Sequence, residues 1–169
     1  MPHLTDIYDE IATLIGGMTT GGGYNFTWDS TSVNPKDFDM VEAIQSGDAF
    51  SDIFPVTLVH YGEEVVEKPS MNQLAANGQS YTNDIDFKIE VRVGASDVNT
   101  ADQEINKAVS DLKKLFFNND CLNGNSFIVL YTGHIREPFF ADASGCAGRL
   151  LFNITVRYNQ DITNPEVLV

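Results

Sequence analysis

The sequence has little positive charge and few cysteines. Ten Lys and Arg residues stand against 24 Asp and Glu, which gives a formal net charge of −14 at pH 7. A surface that binds nucleic acid needs clustered Lys and Arg to displace counterions, so this balance argues against one. Cys121 and Cys146 are the only cysteines, and neither belongs to a CxxC pair. We expect two free thiols in a cytosolic chain, while a disulfide between them stays open.

Long apolar runs are also missing. No run approaches the roughly 18 residues that a membrane span requires, and the first ten residues, MPHLTDIYDE, lack the basic and apolar regions of a signal peptide. We therefore expect a soluble protein that is made in the cytoplasm and has no membrane partner. The hydrophobic share of 43% excludes a disordered chain, and 169 residues suit one domain with a real core.

Recognised catalytic motifs are missing as well. The chain has no Walker loop, no GxGxxG after a strand, no GxSxG elbow and no HExxH. The glycine run Gly21 to Gly23 lacks the Lys that phosphate cradles use. His3, His60 and His134 are dispersed, without a second ligand at metal spacing. The sequence thus predicts no catalytic residue, no metal site and no cofactor, and structural roles for the histidines.

The clearest feature that is present is Tyr81 to Val93, YTNDIDFKIEVRV, which alternates as a strand does. Apolar side chains occupy one face of this segment and charged side chains the other. The apolar set is Ile85, Phe87, Ile89, Val91 and Val93, and the charged set is Asp84, Asp86, Lys88, Glu90 and Arg92. A register slip of one residue would turn the charged set into the core, so the segment fits its sheet in one register.

The carboxylates of this strand form a row on its charged face. Asp84, Asp86 and Glu90 alternate with Lys88 and Arg92 along that face. Such a row can bind a cation or perform acid–base chemistry. Because the basic residues are interleaved with it, cross-strand ion pairing is the expected structure.

Two amphipathic helices are predicted, Leu4 to Ile15 and Thr100 to Phe117. Thr5 is expected to cap the first, and Thr100 with Gln103 to form a capping box on the second. Acidic residues near the start of each helix, and lysines near the end of the second helix, suit the helix dipoles. These residues are Asp6, Asp9, Glu10, Asp102, Glu104, Lys113 and Lys114. The apolar stripes are Ile7, Ile11, Leu14 and Ile15, then Ile105, Ala108, Val109, Leu112, Leu115 and Phe116.

Four further segments have strand patterns, and two others do not. The predicted strands are Tyr24 to Asp29, Phe54 to Tyr61, Ser126 to Thr132 and Arg149 to Tyr158. Met40 to Gln45 suits a short helix. Gly62 to Ser80 has no periodicity and is longer than an ordinary connection, so it is a functional loop or an extended hairpin arm. A solvated surface is one interpretation of its charges, and an arm that reaches a neighbouring subunit is the other.

The element order α, β, β, β, α, β, β predicts an α+β fold. We expect a mixed, mostly antiparallel sheet of four to five strands, with both helices packed on one face. Residues 1–160 form a single domain in this interpretation. The tail from Asn159 onward, and residues 161–169 above all, is expected to be loosely held.

With this order in view, the chain resembles the tail-terminator and tail-completion (neck) proteins of long-tailed bacteriophages. The resemblance rests on the N-terminal helix, the YTNDIDFKIEVRV strand, the amphipathic helix ending in LKKLFF and the closing strand RLLFNITVRY. It extends over about residues 1 to 160. It lies in the pattern of elements, without a diagnostic motif that would align interface residues.

The resemblance implies a structural virion protein. Such a subunit forms a homo-hexameric ring at the head-proximal end of the tail tube, ends tube growth and joins the tail to the head. Its implied partners are its own copies, the major tail tube protein and the head-closure or connector protein, with double-stranded DNA only as passing cargo. No active site is implied.

Two alternatives stay open at this point. One is another neck component, such as a head-closure or adaptor subunit. The other comes from a different class, a small acidic enzyme or cation-binding domain that uses the row of Asp84, Asp86 and Glu90.

Overall fold

The structure is a computed structural model, and it describes residues 2–28, 33–34, 55–67, 80–120, 128–142 and 145–161. In chain order its elements are α1 (Pro2–Gly16), β1 (Val56–Glu67), β2 (Ser80–Ala95), α2 (Val98–Asn118), β3 (Ile128–Asp142) and β4 (Gly145–Asp161). A turn of 3-10 helix, Thr20–Gly22, follows α1. The expected helix Met40 to Gln45, Cys121 and the last eight residues lie outside the described residues.

The four strands form one antiparallel sheet in the order β1-β2-β4-β3. Because β4 is antiparallel to both β2 and β3, those two strands run in the same direction with β4 between them. Helix α2 connects them, and both helices pack against one face of the sheet. The predicted α+β class is confirmed with four strands. A parallel pairing occurs as an isolated bridge between Val33 and Thr57, beside β1.

Strands β2 and β4 form the central pair of the sheet and are paired over the whole of β2. The two strands pair from Ser80 opposite Asp161 to Ala95 opposite Cys146. The apolar set of β2 is buried, and so are the alternate residues of β4 that share its face of the sheet: Ile85, Phe87, Ile89, Val91, Val93, Leu150, Phe152, Ile154, Val156 and Tyr158. The inner face of the sheet is therefore the face that the alternation predicted, and the helices cover it.

Helix α2 buries its predicted stripe against this inner face. Ile105, Ala108, Val109, Leu112, Leu115 and Phe116 are all buried. The helix approaches β4 so closely that a Cβ on Gly148 would lie 2.5 Å from Cδ1 of Ile105 and 2.9 Å from its Cγ1. Glycine at this position is thus required by the distance between helix and sheet.

Both helices begin earlier than predicted. Helix α1 begins at Pro2, so Thr5 lies inside it and its first turn holds no acidic residue. Asp97 caps α2, because its carboxylate accepts hydrogen bonds from the backbone N–H groups of Asn99 and Thr100 at 2.9 and 3.1 Å. The expected capping box at Thr100 is wrong, since Asp97 takes the same role three residues earlier.

Two details near the helix ends also differ from the prediction. With α2 beginning at Val98, Asp102 and Glu104 fall outside its first turn, and with its end at Asn118 the lysines precede the last turn. Lys114 donates instead to the carbonyl oxygen of Gly23 at 2.9 Å. The end of α1 at Gly16 agrees with the prediction.

The predicted strand Tyr24 to Asp29 is wrong over residues 24–28, which form an irregular loop. The carboxylate of Asp111 accepts hydrogen bonds from the backbone N–H groups of Asn25 and Phe26 at 2.8 and 3.1 Å. It accepts a third from Nε1 of Trp28 at 3.1 Å, and Trp28 is completely buried. Backbone N–H groups that would donate to a neighbouring strand in a sheet thus donate to the side chain of Asp111.

All four strands of the sheet are longer than predicted. Strand β1 runs from Val56 through Glu67, and β2 begins at Ser80, so both ends of the Gly62 to Ser80 segment belong to the β1–β2 hairpin. Residues 68–79 lie outside the described residues. Strand β3 continues from Thr132 to Asp142, and β4 begins at Gly145 and ends at Asp161, which places Asn159 in the sheet.

Both edge strands are bulged at the same level of the sheet. The pairing of β1 shifts between Tyr61 and Glu64, and that of β3 between Tyr131 and Gly133. Tyr61 lies opposite Phe87, and Tyr131 lies opposite Ile154, the partner of Phe87 on β4. The two irregularities therefore lie on one line across all four strands.

No helix among the described residues is long and apolar enough to cross a membrane.

The close packing of α2 against β4 can be tested by substitutions at Gly148 and Ile105. Gly148→Ala should lower the free energy of unfolding by about 1 to 3 kcal/mol, because its Cβ forces Ile105 to move in a packed core. Ile105→Val alone should cost about 0.5 to 1.5 kcal/mol, and in the double variant it should recover part of the Gly148→Ala loss by removing Cδ1. Urea unfolding of the four proteins measures the coupling.

Gly21→Ala is the matched control for this cycle. Among the residues that the structure describes, only the Oγ1 atom of Thr19 would approach a Cβ at Gly21, at 3.8 Å, so we expect a change within about 0.5 kcal/mol. Simple additivity of the Gly148→Ala and Ile105→Val effects would contradict the close packing.

Candidate functional site

The face of the sheet opposite α1 and α2, which we call the outer face, carries the polar side chains of the central strands. Asp84, Asp86, Lys88, Glu90 and Arg92 lie on it, as the alternation of β2 predicted. The register adds the neighbours of these residues on β1, β3 and β4. Directly opposite residues of an antiparallel pair project to the same side, so contacts across the face follow from the register.

Glu90 is the centre of a charge network on the outer face. Its side chain is only 6% exposed. Nε of Arg92 lies 2.8 Å from its carboxylate, and Nε and Nη2 of Arg149 lie 3.1 and 3.2 Å away. Nε2 of His60 lies at 3.4 Å. Arg149 also donates from Nη1 to Glu137 at 3.1 Å, so the network joins β1, β2, β4 and β3.

This environment keeps Glu90 ionised. Burial alone would raise the pKa of Glu90, but the hydrogen bonds and charges of Arg149 and Arg92 outweigh burial and leave that pKa lowered. The same hydrogen bonds to Glu90 raise the pKa of Arg149. The pair is therefore charged at neutral pH.

The other two carboxylates of the row are also held across the strands. Arg157 donates to both oxygens of Asp84, from Nε at 2.8 Å and from Nη2 at 2.7 Å. Its hydrogen bonds lower the pKa of Asp84, against the opposing effect of burial. Thr155 donates to Asp86 at 2.6 Å. The predicted cross-strand ion pairing is confirmed for Asp84 and Glu90.

The carboxylates of this row already accept hydrogen bonds from arginine and threonine side chains. They therefore do not converge as ligands on a common cation site, as the cation-binding alternative requires. No group of three His, Cys, Asp or Glu side chains able to hold a metal ion occurs in the part of the chain that the structure describes. His60 and His134 lie on opposite edge strands, so the sheet does not bring them together. The structure describes the backbone of His3 in α1 but not its side chain.

An apolar strip lies beside this network on the outer face of β3. The side chains of Ile128, Leu130 and Ile135 are 49%, 43% and 53% exposed. Ile128 lies opposite Arg157, and Ile135 lies opposite the half-buried Leu151 of β4. We call Ile128, Leu130 and Ile135 the β3 strip. Aliphatic side chains exposed in a row on an edge strand are typical of a protein-binding surface.

On the other side of β3, aromatic and basic side chains cluster against α2. The hydroxyl of Tyr131 is hydrogen-bonded to Nδ1 of His134, and Nζ of Lys113 lies 4.9 Å from the centre of the Tyr131 ring. Burial, together with the charges of Lys113 and Arg136, lowers the pKa of His134. His134 is thus neutral at pH 7, in keeping with the structural role expected for it.

A cleft of about 300 Å³ opens where α2 begins beside β3 and β4. Val98, Ala101, Ile105, Arg136, Cys146 and Gly148 are among the residues that line it. Cys146 is a free, buried thiol, and its pKa is raised by burial and by the charge of Asp97. A raised pKa keeps the thiol protonated, so Cys146 is a poor nucleophile.

Comparison of the whole chain with protein-family models and with curated protein sequences finds no match. The described residues themselves therefore have to indicate the function. They offer an outer face of paired charges, the β3 strip, and no convergence of reactive groups among the described residues.

The lowered pKa of Glu90 predicts a pH dependence of stability. A carboxyl group with a lowered folded-state pKa stabilises the fold above its unfolded pKa, near 4.5, and this stabilisation is lost as the pH falls through the folded pKa. In Glu90→Gln the partly buried arginines lose their anion, so we expect a loss of about 3 kcal/mol at pH 7. The deficit relative to wild type should shrink as the pH falls below 4.5.

Urea unfolding between pH 3 and 7 measures this dependence. Glu63→Gln is the control, because Glu63 is an exposed carboxylate on the same sheet. An equal loss for Glu90→Gln at every pH would show that the ionised carboxylate is not what stabilises the network.

Proposed function

We propose that this protein is a structural subunit of a bacteriophage tail. In this proposal it forms a ring at the head-proximal end of the tail tube, where it ends tube growth and joins the tail to the head connector. Its partners are other copies of itself, the major tail tube protein and the head-closure protein. It acts in the virion, after synthesis in the host cytoplasm.

The β3 strip carries this proposal. Its three aliphatic side chains, each about half exposed, border a face on which the central carboxylates already have partners in the same chain. That combination favours contact with a protein over chemistry on a small molecule. We assign the strip to a contact with a neighbouring copy of the chain. The resemblance in the order of helices and strands to tail-terminator proteins supports the same assignment.

The size of the strip is consistent with a ring that forms only at the tube end. Burying the exposed half of each aliphatic side chain contributes about 1 kcal/mol, or about 3 kcal/mol for the strip. Association costs at least about 4 kcal/mol in lost freedom of motion. The strip alone therefore does not hold isolated subunits together, and further contacts with a neighbour or with the tube must contribute.

The acidic composition fits a channel through which DNA passes. Six copies at −14 each carry a formal charge of −84. Carboxylates repel phosphates over roughly 8 Å at physiological salt. DNA that moves through such a ring would not adhere to its wall.

Tails made without this protein test the proposal. We expect tubes of uncontrolled length, or tails that do not join heads, because growth has no cap at its upper end. Electron microscopy of the particles measures tube length and the fraction of joined heads, and a supplied copy of the gene should restore both. Tails of normal length on DNA-filled heads would rule the proposal out.

A substitution in the β3 strip tests the surface itself. Ile135→Asp should leave the fold intact, since that side chain is 53% exposed, and should abolish ring formation because a charge is desolvated at the contact. Ser110→Asp, exposed on α2 at the other face of the sheet, is the matched control and should assemble as the wild type does. Rings formed normally by folded Ile135→Asp protein would exclude the strip from the contact.

A further inference from the structure

The two edges of the sheet differ in charge, and β1 forms the acidic one. Tyr8 of α1 stacks on Tyr61 of β1 with the ring centres 5.1 Å apart, so α1 lies along this edge. Asp6 and Asp9 are exposed on α1 and Glu63 is exposed on β1. We call Asp6, Asp9, Glu63 and the half-exposed Tyr61 the β1 edge.

The opposite edge carries positive charge. Lys113 lies over the ring of Tyr131 on β3, and Arg136 of the same strand donates to Asn106 of α2 at 2.6 Å. Asp102 lies 3.8 Å from Arg136 and offsets one of the two positive charges. We call Lys113, Arg136 and the β3 strip the β3 edge. Glu137 of the same strand lies on the outer face and is paired with Arg149 at 3.1 Å, so the positive charge of this edge lies on its α2 side.

The titration of nearby groups agrees with these signs. Burial and then the neighbouring Tyr8 and Asp9 raise the pKa of Tyr61 on β1. Burial and then the charges of Lys113 and Arg136 lower the pKa of His134 on β3. Burial is the largest cause of both shifts, because it raises the pKa of an acid and lowers the pKa of a base, and the charges at each edge add to it in the same direction.

We infer that the β1 edge of one copy packs against the β3 edge of the next, so that the copies associate head to tail. This inference rests on the proposed ring. Two unlike surfaces that fit each other make a heterologous contact, and a heterologous contact closes into a ring when its rotation closes. Oppositely charged edges place attraction at the contact between copies whose net charges repel each other.

A two-fold symmetric contact between copies would instead place like charges against each other. Two β3 edges face to face would bring Lys113 and Arg136 against their own copies, and two β1 edges would do the same with Asp6 and Asp9. Like charges placed together at an interface disfavour it. The charge pattern therefore selects the head-to-tail arrangement over a symmetric dimer.

Charge reversal at each edge tests the contact. The acidic-edge variant is Asp6→Lys with Asp9→Lys, and the basic-edge variant is Lys113→Glu with Arg136→Glu. In a ring made of one variant alone, like charges meet at every contact between copies. Self-association of each variant should therefore weaken at least about tenfold. In an equimolar mixture, every contact between unlike variants joins opposite charges, so the mixture should form rings in which the two variants alternate.

Native mass spectrometry and microscopy of tail-tube ends measure ring formation by each full-length protein and by the mixture. An even-numbered ring closes in the alternating arrangement, and the two variants differ in mass, so the alternating ring has a mass of its own. Lys88→Glu reverses an exposed charge on the central strand β2 and is the control, for which we expect wild-type assembly. Thermal unfolding checks that every variant is folded.

Each outcome decides the inference. Rings from the mixture but not from either variant alone support head-to-tail contact of the two edges. If the wild type forms rings and both variants form them equally well, the edge contact is wrong while the proposed function stands. The edge contact is also wrong if both variants fail and the mixture does not recover. If the wild type neither forms rings nor binds tube ends, the proposed function and the inference both fail.

Discussion

The register of β2 against β4 is the constraint on which the rest of the described structure depends. A shift of one residue would exchange the two faces of β2 and move its charged side chains under the helices, at a cost of several kcal/mol for each unpaired ion. In the observed register Arg157 lies directly opposite Asp84, and Gly148 comes beneath Ile105 of α2. Ion pairing on one face and helix packing on the other are thus consequences of one alignment.

The buried Glu90 network joins all four strands through side chains. Removing an ionised carboxylate from water is unfavourable, and Arg92 and Arg149 compensate for it with hydrogen bonds to both oxygens. Because those arginines lie on β2 and β4, and His60 and Glu137 on the two edges, the network is satisfied in one arrangement of the strands. A carboxylate held in this way has little capacity left for a metal ion or a substrate.

The sequence predicted the parts of the fold in which residues close in the chain determine the structure. Strict alternation identified the buried faces of β2 and β4, and a 3.6-residue period identified the stripe of α2. The loop from Tyr24 to Trp28 was missed because the group that holds it, Asp111, is more than 80 residues away in the chain. The full length of β3 was missed because Gly133 and Pro138 interrupt its alternation, and each lies at a shift in pairing.

The same distinction applies to the candidate site. Cross-strand pairing of the acidic row was predictable, since basic residues alternate with acidic ones along β2. The β3 strip was not, because Ile135 lies beyond the predicted end of its strand, and a segment such as Ser126 to Thr132 does not show which face meets the helices. The charge difference between the two edges depends on strand order, which no local pattern contains.

The bulges in β1 and β3 limit the ways in which another strand can add to this sheet. A regular edge strand offers a continuous row of backbone donors and acceptors to any incoming strand, and such addition has no natural end. Here that row is interrupted at the same level on both edges, and Asn34 already hydrogen-bonds the backbone of Thr57 and Val59 on β1. A contact at either edge must then use side chains, whose shapes set one angle between neighbours. Such a contact gives an assembly of finite size when its rotation closes, whereas the addition of backbone strands continues without limit.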